Sequence, residues 1–105
     1  MPRSDRDLFE EQVGVLTFKA EPTEIGLEKF GDALSRLISG KAPAPVVDIS
    51  CTHFVPSKYL ALVMKAAASA RVKGKEVTLI AQPNVGKLFE TAGFKGLGRI
   101  GTVEG

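Results

Sequence analysis

Of the residues that carry redox, metal-binding and nucleophilic chemistry, this sequence holds a single cysteine and a single histidine, Cys51 and His53, among 105 residues. One cysteine closes no intrachain disulfide, so nothing in the chain calls for an oxidising compartment. A structural zinc site takes four ligands, and Cys51-Thr52-His53 offers two with no further Cys or His to complete the set. Long apolar runs are also missing. The most apolar stretch, 59–70, is interrupted by Lys65 and falls short of the roughly 18 uncharged residues of a membrane span. The opening Met1-Pro2-Arg3-Ser4-Asp5-Arg6-Asp7 lacks an apolar secretory segment, so a cytoplasmic protein is expected. Strong net charge is absent: 14 cationic against 12 acidic residues leave +2, without the dense positive field of a nucleic-acid binder. One segment lacks acid altogether. From Ile49 to Lys75 there is no Asp or Glu, whereas Lys58, Lys65, Arg71, Lys73 and Lys75 all fall within it.

What is present is ordinary globular composition, 44% apolar and 25% charged. The length suits one domain able to bury about two thirds of its unfolded surface. Residues 1–7 are expected to form a flexible N-terminus and 8–105 the domain. Residues 8–12 and 13–19 read as two strands meeting near Gly14, a hairpin fed by Val13, Val15, Leu16 and Phe18. After the break at Pro22, Thr23 is placed to cap a helix whose apolar positions Leu27, Phe30, Leu34, Leu37 and Ile38 recur at spacings of three and four. Gly40 ends it. Residues 45–50, with Val46, Val47 and Ile49 nearly contiguous, read as a central strand buried on both faces. A second helix is expected over 57–73, ended by Gly74, and then a strand over 75–81. A third helix from Pro83 carries Val85, Leu88, Phe89 and Ala92 on one face and stops at Gly93, before a weaker strand over 97–103. Strands alternating with helices after residue 45 imply a partly parallel sheet. The fold class is therefore α/β, with a mixed β-sheet of four to five strands packed against helices.

The formal catalytic motifs fail on context. Gly96-Leu97-Gly98-Arg99-Ile100-Gly101 has the G-x-G-x-x-G spacing, but only four residues follow, with no helix opening at it and no acidic residue some 20 positions on. These glycines are expected at turns and an edge strand. Gly86-Lys87 lacks the upstream glycine of a phosphate loop and is followed by Leu88 in place of a hydroxyl residue. Cys51 and His53 could serve as nucleophile and base, but the favoured reading is a small buried cysteine and a loop histidine. No catalytic residue, metal or cofactor is expected.

The second helix is the informative element. Its core face is read as Leu60, Val63, Met64 and Ala67, and its other face as Lys58, Leu62, Lys65, Ser69 and Val72. Cations mixed with exposed aliphatics on that face are either an ordinary solvated surface or a docking face for an acidic protein partner. Ser57, directly after Pro56, reads as the N-cap of this helix. A phosphate there would also be compatible, since it would lie at the positive end of the helix dipole beside Lys58.

Val46-Val47-Asp48-Ile49-Ser50, Phe54, Ser57, Leu60, Leu62-Val63 and the run from Arg71 to Leu79 resemble a STAS domain in order and spacing. So do Pro83-Asn84-Val85, Leu88-Phe89 and Thr91-Ala92-Gly93-Phe94. STAS is the fold of bacterial anti-sigma factor antagonists and of the cytoplasmic tails of sulfate transporters. The resemblance covers 45–100, and it implies a STAS-like domain without enzymatic activity. It places Ser57 at the position phosphorylated by a partner kinase that doubles as an anti-sigma factor. Pro56, Lys58 and Tyr59 stand where the family pattern has an aspartate, a second hydroxyl residue and a glycine.

On this reading the protein is a signalling module that switches partners with an anti-sigma factor/serine kinase and so regulates transcription. Phe54, Pro56, Ser57, Lys58, Tyr59, Leu62 and Lys65 are the candidate partner-binding residues. A homo-oligomer or a co-assembly with other STAS domains is compatible with it, and no nucleic-acid partner is expected. One alternative is a constitutive scaffold or subunit of a larger signalling or transport complex without a phospho-switch. Another is a small-ligand sensor using the positive helix terminus.

Overall fold

The computed structural model describes residues 9–103. The segment 1–7, expected to be flexible, lies outside the described residues, as does Leu8. Strands β1 (Phe9–Gln12) and β2 (Val15–Phe18) form the expected antiparallel hairpin. Its turn depends on Gly14, whose φ of 76° favours a residue without a side chain. Val13 lies in this turn, 99% exposed, and supplies nothing to the core. Helix α1 (Leu27–Ser39) follows, then β3 (Val46–Asp48), α2 (Ser57–Val72), β4 (Val77–Ala81), α3 (Pro83–Thr91), a short 3₁₀ turn at Phe94–Gly96 and β5 (Gly98–Thr102).

The sheet order is β1-β2-β3-β4-β5, parallel from β2 onward. This is the mixed α/β architecture expected from the alternation, with all five strands, and it is consistent with a STAS-like fold. Three successive crossovers each advance one strand in the same direction, and right-handed crossovers of that kind lay α1, α2 and α3 on a single face. Burial follows the register. Leu16, Val47 and Leu79 are paired neighbours and are almost wholly buried against the helices, as are Phe18, Val77 and Ala81. The intervening Val15, Thr17, Val46, Asp48, Thr78 and Ile80 are half-buried on the other face. Strand β3 is thus central but closed on one face only, because no helix among the described residues crosses to the second.

Local chemistry explains the ends of the elements and corrects three expectations. Thr23 does not cap α1. Its Oγ1 accepts from the Gly26 N–H at 3.2 Å, closing a turn that precedes the helix. In α2 the core face is Tyr59, Val63, Ala67 and Ala70, with Leu60 and Met64 only partly buried. In α3 Leu88 is 43% exposed and Ala92 is exposed, so Val85, Gly86 and Phe89 make the inner face. Gly74 and Gly93 end their helices with φ of 78° and 96°, as expected of terminating glycines. An aromatic cluster joins the layers at one end: Phe18 lies 4.8 Å from Phe30, and Tyr59 lies 5.0 Å from Phe30 (centroid distances).

Candidate partner-docking site

Strands β2, β3 and β4 all deliver their C-terminal ends to one edge of the sheet, so the loops 19–26 and 49–56 meet there, beside Gln82. Side chains stitch them together. Gln82 Nε2 donates to the Ser50 carbonyl at 2.6 Å, and Asp48 Oδ1 accepts from the Ser50 N–H at 2.9 Å. The buried Thr52 hydroxyl donates to the Ile49 carbonyl at 2.9 Å. Glu21 reaches across from the first loop: its carboxylate accepts the His53 N–H at 3.0 Å and stands 2.9 Å from His53 Nδ1.

The interaction with His53 holds the Glu21 carboxyl below the ordinary glutamate value, against partial desolvation and with help from the His53 and Phe54 backbone N–H groups. The contribution of this staple is complete above the unfolded-state pKa and is lost as pH falls through the lowered folded-state value. Because the Glu21 side chain is 51% exposed, Glu21→Gln is expected to cost less than about 1 kcal/mol at neutral pH. Carbon-detected NMR titration checks the shift; a Glu21 carboxyl titrating at or above the ordinary value contradicts it.

Cys51 is exposed, contrary to the expectation of burial. Its Sγ–H donates to the Phe18 carbonyl at 2.6 Å. Partial desolvation and the charges of Glu21 and Asp48 push the thiol up from its ordinary pKa, which disfavours the thiolate a nucleophile needs. His53 is an exposed loop residue tied to Glu21.

Helix α2 begins at this edge. Pro56, with φ −59° and ψ 149°, occupies the N-cap position, and its carbonyl accepts from the N–H groups of Tyr59 and Leu60 at 2.9 and 3.1 Å. Ser57 is therefore the first helical residue and not the cap. No side-chain hydrogen bond caps the helix and no acidic residue sits in its first turn. The Ser57 side chain is exposed and its hydroxyl has no hydrogen-bond partner among the described residues. Lys58 lies beside it, with Nζ 3.6 Å from Glu24. A recess of about 340 Å³ opens here between Leu27 and Glu24 on one side and Pro56, Ser57, Lys58 and Tyr59 on the other. Phe54, 69% exposed, precedes it in the chain, and Ile25, 92% exposed, lies in the first loop.

Phe54, Pro56, Ser57 and Lys58 are thus gathered at one end of the molecule. Tyr59 is not a surface residue. It is 3% exposed, packs on Phe18 and Phe30, and donates its hydroxyl to the Thr23 carbonyl. Its ring turns into the core, so only its edge reaches the recess. Half-buried Leu62 and exposed Lys65 sit further along α2, facing α1. Sequence reasoning missed Glu24 and Leu27 as neighbours of Ser57. Ile25 falls outside the spacing of α1, and this was the one signal that it belongs to a loop surface.

Among the described residues no helix is long and apolar enough to cross a membrane, and no cluster of three or more His, Cys, Asp or Glu side chains could hold a metal ion. The sequence matches no protein-family model and no curated protein.

Proposed function

We propose that this protein is a non-enzymatic regulatory module of the cytoplasm, similar to an anti-sigma factor antagonist, that binds a signalling protein through the edge around Ser57. One observation carries the reading: an uncommitted Ser57 hydroxyl stands at the start of α2, on the rim of a recess, three residues after exposed Phe54 in the chain. The apolar side chains supply area that a partner can desolvate, and the hydroxyl supplies a point at which its charge can be changed. A phosphate on Ser57 would meet the unsatisfied N–H groups of the first turn and the Lys58 ammonium, so the fold would tolerate it while the docking surface gained about two negative charges.

The test is phosphorylation by a partner serine kinase with ATP, mapped by mass spectrometry, together with partner affinity. Ser57→Asp is expected to weaken binding by about tenfold or more and Ser57→Ala to preserve it. Phe54→Ala should change stability by less than about 0.5 kcal/mol, because the ring is exposed, yet weaken partner binding by about tenfold. A second reading, a constitutive scaffold, is favoured by Pro56, which leaves no carboxylate before Ser57. It predicts a stoichiometric complex indifferent to both Ser57 variants and to phosphate.

A further inference from the structure

Helices α1 and α2 lie side by side and run in the same direction. Lys58 meets Glu24 near their starts, a Cβ on Gly31 would lie 3.7 Å from Leu62 Cδ1 midway, and Lys75 donates to the Ile38 carbonyl at 2.6 Å at their ends. Between them, on the surface away from the sheet, runs an open groove of about 240 Å³. Its floor carries Gly31, Leu62 and Ala66, and Ser35, Ser69 and Lys65 stand along its walls. Small residues there would let another backbone approach closely.

The two rims carry opposite charge. At 100° per residue, exposed Glu28 and Asp32 follow Gly31 and Ser35 around the outer side of α1. Exposed Lys58 and Lys65 lie on the outer side of α2 beside Ser69. Glu28, Asp32 and Lys65 have no ion-pair partner among the described residues. The cations of α1 lie further round from the groove: Arg36 and Lys29 fall about 40° and 60° beyond Asp32, and Arg36 is held by Glu11 at 2.7 Å. A wholly acidic partner would suit one rim and be repelled by the other, and a wholly basic partner fails in the reverse sense.

We propose that the α1–α2 groove is the interface of a symmetric dimer of this chain. A twofold axis parallel to the helices lays each α1 on the partner's α2 and sets the acidic rim against the basic rim twice over. The levels agree. With Gly31 beside Leu62, Glu28 is level with Lys58, and Asp32 with Lys65, to within about 3 Å along the axis. This arrangement does not depend on the partner reading at Ser57, and either can fail while the other stands.

Sedimentation equilibrium of the full chain over a concentration series is the test, with wild type, Asp32→Lys, Lys65→Asp and the double exchange compared at low and high salt. The wild type is expected to dimerise reversibly and more weakly in high salt. Each single reversal should weaken the dimer by about tenfold, and the double exchange should restore it to within about threefold. Ser35→Tyr, which fills the groove without altering the charge of either rim, should give a monomer whose urea unfolding stays cooperative. A monomeric wild type, single reversals without effect, a double exchange that fails to restore, or a dimeric Ser35→Tyr would each overturn the proposal.

Discussion

Phe30→Ala is expected to lower stability by about 3–5 kcal/mol, the largest loss of any single truncation in this core. Phe30 is 1% exposed and its ring contacts Phe18, Tyr59 and Phe9 at centroid distances of 4.8, 5.0 and 6.3 Å. Those rings come from β2, α2 and β1, so no single side chain can fold inward to fill the space, and the residual cavity adds to the lost transfer energy. Edge-to-face contacts are forfeited as well. A domain of this size is stable by only about 5–15 kcal/mol, so the variant gives up a large share of the whole. Urea unfolding followed by circular dichroism reads the effect as a lower midpoint at unchanged slope, and a loss under about 1 kcal/mol contradicts it. The consequence reaches the recess through Tyr59, which fixes the first turn of α2 to the loop at Thr23. Loosening the cluster should therefore blur the recess at Ser57 even in the folded fraction.

Gly98→Ala is the second large effect, at about 3 kcal/mol, and it arises from crowding where the first arises from a void. A Cβ at Gly98 would collide with the Val77 carbonyl oxygen on the neighbouring strand and lie 3.2 and 3.3 Å from two carbons of the Phe94 ring. Both obstacles are rigid, one a backbone atom and the other a fully buried ring. Relief requires β5 to move off β4, which sacrifices the pairing that begins at Val77 and Gly98. Gly101, three residues on, has nothing within 4 Å of its would-be Cβ, so Gly101→Ala should stay within about 0.5 kcal/mol of wild type. Thermal or urea unfolding of the two variants side by side checks the pair, and equal effects would refute the steric account. The contrast also explains the G-x-G-x-x-G spacing by packing: Gly98 admits β5 against β4 and Phe94, and the segment needs no nucleotide to account for it.

Much of the site was legible because it depends on local chemistry. Pro56 can end an extended loop and begin a helix, so Ser57 falls at a helix start whatever surrounds it. The absence of acid from 49–75 likewise marks a basic segment without reference to fold. The direction of Tyr59 was not legible. Helix α2 contains five alanines among its sixteen residues, so apolar surface runs nearly all round it and periodicity selects no face. The choice was made by the aromatic rings of β1, β2 and α1, which leave a slot that the Tyr59 ring fills. Glu21, Glu24 and Leu27 join the site only because two segments about 30 residues apart in sequence meet, as the Glu21–His53 bond shows.

The sequence by itself determined the order and kind of the elements. Gly74 and Gly93 impose their chain reversals, the spacing from Leu27 to Ile38 makes a helix with one apolar face, and the β-branched runs make strands. Each of these is a property of a few consecutive residues. Only the tertiary structure decided that the three helices share one side of the sheet and leave β3 open on the other. It also set α1 beside α2 in parallel, bringing an acidic rim and a basic rim to one groove. Such choices depend on the hand of the crossovers and on which side chains fill the space between segments, and neither is encoded in the period of any one segment.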